Sequence, residues 1–169
     1  MAVSTDVDSD SSGGTDLPYL WHILGEDAVT QRLLLVAKMI ERVTSRKLDE
    51  GFGISVAQWR VLAFVCISGP ASGSFIGEAA EVDQAEISRA VKALIDRGLV
   101  TRDFAPGSRK TLIVSPTAAG TDLFAAIREQ RRGYFSCITG QLGTGQIQEL
   151  KAILNILVSE VVNERGGAQ

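Results

Sequence analysis

Apolar residues recur at steps of three and four along most of this chain, which is the spacing of one face of an α-helix. The first such stripe predicts a helix from about Asp27 to Leu48, after the segment Leu17 to Leu24, where order is expected to begin. Its members are Val29, Leu33, Val36, Ile40 and Val43, with Leu34, Leu35 and Met39 beside them. A face this wide indicates that the helix is buried on more than one side.

Three shorter helices are predicted next. Ser55 to Ser68 opens with a capping box formed by Ser55 and Gln58. Ser74 is the expected N-cap of a short helix from Phe75 to Ala80.

The third short helix is predicted from about Gln84 to Arg97. Asp83 followed by Glu86 forms an N-terminal box, and Gly98 stands where a C-terminal cap belongs. The positions expected to be buried are Ile87, Val91, Leu94 and Ile95.

The apolar period then changes from about 3.6 to two, which is the period of a strand. Leu99 to Phe104 and Lys110 to Ser115 are β-rich runs, and Pro106 and Gly107 between them suit the second and third positions of a type II turn. This segment is predicted to be an antiparallel hairpin.

Two long helices complete the pattern. Thr117 is expected to cap the first, which ends within Gly140 to Gly143, and Thr144 is expected to cap the second. The first places Leu123, Phe124, Ile127, Tyr134, Phe135 and Ile138 at helical spacing. The second carries a heptad seam of Ile147, Leu150, Leu154, Leu157 and Val161, which is typical of a helix that pairs with another helix.

Composition is that of an intracellular globular chain. Its 169 residues are 45% hydrophobic, enough to bury a core, and the two cysteines, Cys66 and Cys137, lack the spacing of a zinc site. Residues 1–16 have neither the basic start nor the apolar run of a signal peptide, and no stretch reaches the ~18 apolar residues of a membrane span. We therefore expect a cytoplasmic protein with no membrane partner, no metal and no cofactor.

The net charge of −3 argues at first against a nucleic-acid partner, because phosphate binding depends on clustered Lys and Arg. The charge is unevenly distributed, however. Residues 1–16 contain four aspartates and no basic residue, whereas Asp83 to Lys110 contains six basic residues and four acidic ones. The second segment is a weak basic footprint.

The order of short helices, then a hairpin, is the plan of a winged helix-turn-helix module, in which the second helix of the turn enters the major groove of DNA. At about 100° per residue, the helix from Gln84 turns Ala85, Arg89, Lys92 and Asp96 away from its buried stripe, with Ser88 at their flank. Arg89 and Lys92 can reach bases or phosphates, and Ala85 leaves room for close approach. Taken alone, this face is more typical of an ordinary solvated helix.

Three runs of sequence, at Val56 to Leu62, Val82 to Val91 and Leu94 to Val100, resemble the MarR family of winged helix-turn-helix transcriptional regulators in order and spacing. The resemblance extends over about Ala28 to Val162. It implies a homodimer formed by the first and last two helices, and a mainly α fold with a small β-hairpin wing. The expected organisation is a disordered arm (1–16), an N-terminal dimerisation helix region (17–54), a winged helix-turn-helix DNA-binding region (55–115), C-terminal dimerisation helices (116–164) and a flexible tail (165–169).

The resemblance also implies which residues bind. The DNA-binding candidates are Gln84, Ala85, Ser88, Arg89, Lys92, Arg109 and Lys110. Family wings usually carry an acidic residue before the basic pair, where this chain has Ser108. A small effector, aromatic or anionic, is expected to bind in a crevice beside the winged module, and its candidate contacts are His22, Phe52, Trp59 and Arg60. The predicted function is a repressor of transcription that binds a palindromic operator in double-stranded DNA and is released by this effector.

Three alternatives are weighed against this prediction. An enzyme is not expected, because the only histidine, His22, has no nucleophile or carboxylate pattern around it. A redox-responsive regulator of the same fold would use Cys66 or Cys137, but neither has basic neighbours within a helical turn. A dimeric protein-interaction module without DNA binding would explain the heptad seam and the acidic balance, but not a basic hairpin directly after a helix of the recognition type.

Overall fold

The structure is a computed structural model that describes residues 18–23, 25, 28–108 and 110–166, apart from the side chain of His22. The predicted arm at 1–16, Arg109 and the last three residues lie outside the described residues. The chain divides into two compact units between Lys47 and Leu48.

The described residues form seven helices and three short strands. The helices are α1 (Tyr19–Ile23), α2 (Val29–Phe52), α3 (Val56–Ser68), α4 (Gly73–Ala80), α5 (Gln84–Asp96), α6 (Ala118–Thr139) and α7 (Thr144–Gly166), and the strands are β1 (Ala71–Ser72), β2 (Val100–Phe104) and β3 (Leu112–Pro116). The predicted fold class, mainly helical with a small β wing, is confirmed.

Helix α2 ends at Phe52, four residues beyond its predicted end. Gly53 follows it with a φ of 61°, a left-handed conformation that glycine adopts without strain. The Gly53 amide donates a hydrogen bond to the Asp49 carbonyl at 2.8 Å, and Ile54 and Leu48 are both buried beside this turn. The helix thus terminates in the αL capping motif.

The predicted cap of α4 is wrong by two residues. Ser72, and not Ser74, caps this helix, and its hydroxyl accepts a hydrogen bond from the Phe75 amide at 3.2 Å. The reason is strand β1, which the sequence did not predict. Ser72 is paired with Ile113 of β3, so its backbone is extended and the helix begins directly after it.

The predicted cap of α7 is also wrong, because Thr144 is the first residue of the helix itself. The residue before the helix is Gly143, whose amide donates to the Gln146 side chain at 2.8 Å. Gln146 thus supplies the half of a capping box that reaches back from the third helical position. The helix continues to Gly166, two residues past the predicted boundary of the C-terminal helices.

The three strands form one antiparallel sheet in the order β1-β3-β2. Val100 pairs with Pro116 and Phe104 pairs with Leu112, which sets the register of the hairpin. At its tip Gly107 has a φ of 75° and the Ser108 amide donates to the Ala105 carbonyl at 2.9 Å. These values confirm the predicted type II turn.

A single apolar core holds α3, α4, α5 and the sheet together, because each contributes one face. Its fully buried side chains include Val61, Leu62, Val65, Ile76, Ile87, Leu94, Val100 and Val114. Ile95, which was expected to be buried on α5, is instead 37% exposed. A second, smaller cluster joins Leu48, Ile54 and Ile127, and Trp59 packs against both clusters.

Helix α7 has no buried residue, although much of its surface is apolar. Its exposed large apolar side chains are Leu150, Ile153, Leu154, Ile156, Leu157, Val158, Val161 and Val162. Among the described residues, no single helix is long and apolar enough to cross a membrane, and only α2 and α3 taken together as a bent pair meet that length and composition.

Candidate nucleic-acid interface

Helix α5 begins at an acidic cap. The Asp83 carboxylate accepts hydrogen bonds from the Ala85 amide at 2.9 Å and from the Glu86 amide at 3.3 Å. These bonds satisfy two of the amides that a helix leaves unpaired in its first turn. The cap therefore stabilises the first turn of α5.

The outward face of α5 contains the predicted DNA-binding residues. Ala85, Ser88, Arg89 and Lys92 are all exposed, while Ile87, Ala90, Val91 and Leu94 on the opposite side are buried. The helical period thus places these four side chains on one solvent-facing surface, as predicted. Ala85 is the smallest residue of this surface, so the backbone can approach a partner closely there.

Gln84 is oriented differently from the other candidates on α5. A Cβ added at Gly77 of α4 would lie 3.0 Å from Oε1 of Gln84, and a Cβ added at Gly73 would lie 3.6 Å from its Nε2. The Gln84 amide therefore lies against the two glycines of α4. This contact was not predicted, because it depends on how α4 and α5 pack and not on the period of α5.

At the wing tip, Ser108 bonds to the backbone of the residues that follow it. Its hydroxyl accepts hydrogen bonds from the Lys110 amide at 3.3 Å and the Thr111 amide at 3.0 Å. Lys110 is exposed beside it, whereas Arg109 lies outside the described residues. Ser108 therefore orders the tip through backbone bonds, at the position where an acidic residue was expected from the family.

The effector candidates Phe52 and Trp59 both pack against the smaller apolar cluster. Trp59 stacks on Phe124, with ring centroids 5.6 Å apart and an angle of 13° between the planes. Arg60, the next residue, is exposed. His22 was the fourth candidate, and its side chain lies outside the described residues.

Arg131 of α6 lies at the same place and was not among the predicted residues. Its guanidinium carbon is 5.2 Å from the ring of Trp59 and 5.0 Å from the ring of Phe135. Its Nη1 atom is buried and has no hydrogen-bond partner. Burial lowers the pKa of Arg131, and the positive charge of Arg60 lowers it further, although the guanidinium stays charged near neutral pH.

The two cysteines occupy different environments. Cys66 is partly buried against the main core, and this burial raises the pKa of its thiol, an effect that a hydrogen bond with Thr121 only partly opposes. A raised pKa keeps the thiol protonated and unreactive near neutral pH. Cys137 is exposed on α6.

Part of the chain matches a family model. Residues 52–110, from the end of α2 to the wing tip, match the model of the MarR family. This region of the chain is therefore similar to MarR-family proteins. The predicted resemblance is thereby confirmed, and among curated protein sequences none matches the chain significantly.

Solved structures of MarR proteins have the same fold. A MarR/EmrR family transcriptional regulator from Acinetobacter sp. ADP1 has a TM-score of 0.72 at 19% identity, with 79% of this chain and 94% of that chain covered. The MarR protein from Peptoclostridium difficile has a TM-score of 0.75 at 15% identity, with 94% and 100% covered. A MarR family transcriptional regulator from Listeria monocytogenes complexed with 26mer DNA has a TM-score of 0.72 at 16% identity, with 80% and 90% covered.

Proposed function

We propose that this protein is a homodimeric, sequence-specific repressor of transcription that binds a palindromic operator in double-stranded DNA. The observation that carries the proposal is the exposed face of Ala85, Ser88, Arg89 and Lys92 on α5, directly before a wing with an exposed Lys110. A helix face of this kind reads base edges and phosphates in the major groove, and a basic wing reaches the adjacent backbone or minor groove. The similar proteins from Listeria monocytogenes and S. aureus were solved with DNA.

The support for the proposed dimer comes from helix α7. In one chain its seam residues Leu150, Leu154, Leu157 and Val161 are all exposed, and Ile153, Val158 and Val162 flank the seam on both sides. So large an exposed apolar surface is unfavourable in water and marks an interaction site. A second copy of this chain supplies a matching seam, and two-fold symmetry of the protein then matches a palindromic site.

The ligand that releases the repressor is proposed to be a small aromatic carboxylate that binds at Trp59, Arg60 and Arg131. The support is the buried Nη1 atom of Arg131, which lacks a hydrogen-bond partner, next to two aromatic rings and a second arginine. An unsatisfied buried donor is costly, and a carboxylate oxygen would satisfy it with a charge-assisted bond. Phe52 packs on the same small cluster as Trp59 and would be a neighbour of the ligand.

A binding titration on DNA from upstream of the protein's own gene tests the proposed function. We expect a footprint with dyad symmetry, half-site centres about 10 to 10.5 base pairs apart, and an affinity that falls steeply with salt. Footprints that lack dyad symmetry would contradict the dimer, and an affinity that is the same for any sequence and any salt concentration would contradict specific DNA binding.

Benzoate, the simplest aromatic acid, tests the effector site. We expect benzoate to raise the melting temperature of the wild type and to weaken its binding to the operator. In Arg131→Met, we expect benzoate to change neither the melting temperature nor the affinity for the operator. Methionine keeps an apolar stem against Trp59 and Phe135 but offers the carboxylate no donor. The matched control is Arg128→Met, at an exposed position of the same helix, which should respond like the wild type. An unchanged response of Arg131→Met would remove Arg131 from the site.

A further inference from the structure

Three helices meet at the turn Arg97-Gly98-Leu99, which follows α5, the proposed recognition helix. Arg97 follows α5 as its C-cap, and its side chain contacts the end of α2. Nη1 donates to the Gly53 carbonyl at 2.7 Å and Nη2 donates to the Phe52 carbonyl at 3.1 Å. The guanidinium therefore bonds to two consecutive carbonyls, those of the last residue of α2 and of the glycine that follows it.

This arrangement suits arginine in particular. The last carbonyls of a helix have no partners within the helix and carry partial negative charge, so a cation there is favourable. The planar guanidinium can bond to both carbonyls at once, whereas a lysine ammonium acts as a single point charge. Arg97 thus ties the C-terminal end of α5 to the C-terminal end of α2 with two directional bonds.

The next two residues of the turn are tied to the start of α6. The Thr117 hydroxyl donates to the Gly98 carbonyl at 2.7 Å, and the Thr117 amide donates to the Leu99 carbonyl at 3.1 Å. The same hydroxyl accepts from the Gly120 amide at 3.0 Å, so it also caps α6. At Gly120 an added Cβ would collide with the Leu99 carbonyl, which shows how closely α6 approaches the turn.

We propose that the Arg97-Gly98-Leu99 turn is the joint through which α2 and α6 set the position of the recognition helix, with Arg97 and Thr117 as its positioning residues. The inference rests on the proposed function, because it concerns a dimer that binds two half-sites. The outward face of α5 carries the proposed base contacts, and the joint bonds the C-terminal end of that helix to the end of α2 and to the start of α6. Recognition of two half-sites at once requires both helices to be held within about 0.5 Å and 10–20° of their productive position.

The loss of affinity on a site with altered spacing between its half-sites measures how firmly the joint holds the two α5 helices. One base pair inserted at the dyad turns one half-site by about 34° and moves it by about 3.4 Å. A rigid dimer cannot adjust to this displacement and therefore loses affinity. A dimer with a loose joint can move its α5 helices to the new spacing and loses less affinity. Wild type is therefore expected to lose on the order of tenfold in affinity for each inserted base pair.

The experiment titrates wild type and variants on the footprinted site with zero, one and two base pairs inserted at its centre. Arg97→Gln and Thr117→Val should bind the native spacing several-fold more weakly, and their affinities across the series should differ by no more than roughly threefold. Thr117→Ser keeps the hydroxyl and should lose affinity with each inserted base pair as the wild type does. The dependence of affinity on spacing in Arg97→Lys should be intermediate between those of the wild type and Arg97→Gln. Thermal unfolding and sedimentation identify variants that are folded dimers. If Arg97→Gln is not folded, Arg97→Lys and Thr117→Val provide the same comparison.

Arg89→Ala is the matched reference for these variants. It removes an arginine that faces the DNA, so it should lower the affinity by one common factor at every spacing and leave the shape of the series unchanged. If the affinities of the folded Arg97 and Thr117 variants depend on half-site spacing as the wild type's does, the inference is overturned while the proposed function stands. A salt slope that falls by about one in Arg97→Gln would also overturn it, because Arg97 would then contact a phosphate directly. A wild type that binds no DNA would overturn the proposed function, and the inference with it.

Discussion

Arg89 and Arg131 show how the surroundings of an arginine determine what it can bind. Arg89 is exposed on a helix face that contributes nothing to the core, so its side chain is available to a partner of any size. Arg131 lies beside two aromatic rings and has a buried Nη1 atom without a hydrogen-bond partner, so its surroundings are more enclosed than those of Arg89. The first environment suits DNA and the second suits a compact carboxylate.

Replacement of Arg89 by alanine should weaken DNA binding and leave the fold intact. If Arg89 reads a guanine through two hydrogen bonds, the loss is about 1 to 3 kcal/mol and the preference at one base pair relaxes. If it binds a phosphate, affinity falls evenly for all sequences and the salt slope decreases by about one. Titrations on the operator and its point mutants at two salt concentrations distinguish the two outcomes.

Arg128→Ala is the control for this substitution, since it removes the same charge from an exposed position on α6. It should bind the operator like the wild type, and neither variant should change the melting temperature. Equal operator affinities for Arg89→Ala and wild type would mean that α5 is not the recognition helix, and DNA binding would then depend on the wing alone.

Among the elements, α6 is held at its first turn by an unusually close contact. Gly120 is buried there, and Leu62 and the Leu99 carbonyl lie around the space that a side chain would need. The same turn contains Thr117, which bonds to the end of α5. The absence of a side chain at Gly120 is therefore what allows α6 to begin directly against the winged module.

Gly120→Ala should destabilise the protein strongly. Its Cβ would collide with backbone, which moves less readily than a side chain, and such overpacking costs about 1 to 3 kcal/mol or more. The control is Gly133→Ala on the same helix, where an added Cβ has nothing within 4 Å. That change should raise stability by about 0.4 to 1 kcal/mol, because alanine restricts the unfolded chain. Thermal or urea unfolding measures both, and equal stabilities for the two variants would contradict the close contact.

How well each element could be predicted depends on how local its signals are. The capping box of Ser55, the type II turn and the outward face of α5 are encoded within a few neighbouring residues, and all three agree with the structure. Strand β1 was missed because two residues become a strand only by pairing with β3, about forty positions later. The contact of Gln84 with the glycines of α4 and that of Arg131 with Trp59 of α3 were not predicted for the same reason, since each depends on how two helices pack.

For the whole molecule, the exposed apolar surface of α7 and the face of α5 impose one common requirement. Helix α7 needs a partner to cover its seam, and a palindromic site needs two recognition helices related by two-fold symmetry. The proposed second copy of the chain would meet both needs. It would also strengthen the proposed binding to DNA despite the net charge of −3, because two weakly basic faces would act on the same duplex.

Leu154→Asp should convert the dimer to monomer or unfolded chain. Leu154 lies in the middle of the α7 seam, where an aspartate would have to be buried without a partner, at a cost of several kcal/mol. The matched control is Asn155→Asp, which adds the same charge one residue along, on the polar side of the helix. Sedimentation at micromolar concentration should show a dimer for the wild type and for Asn155→Asp only. Operator binding should fall together with dimerisation in Leu154→Asp, because a monomer can occupy only one half-site at a time. A stable dimer of Leu154→Asp would exclude this seam from the interface, and α2 would then have to supply the contact alone.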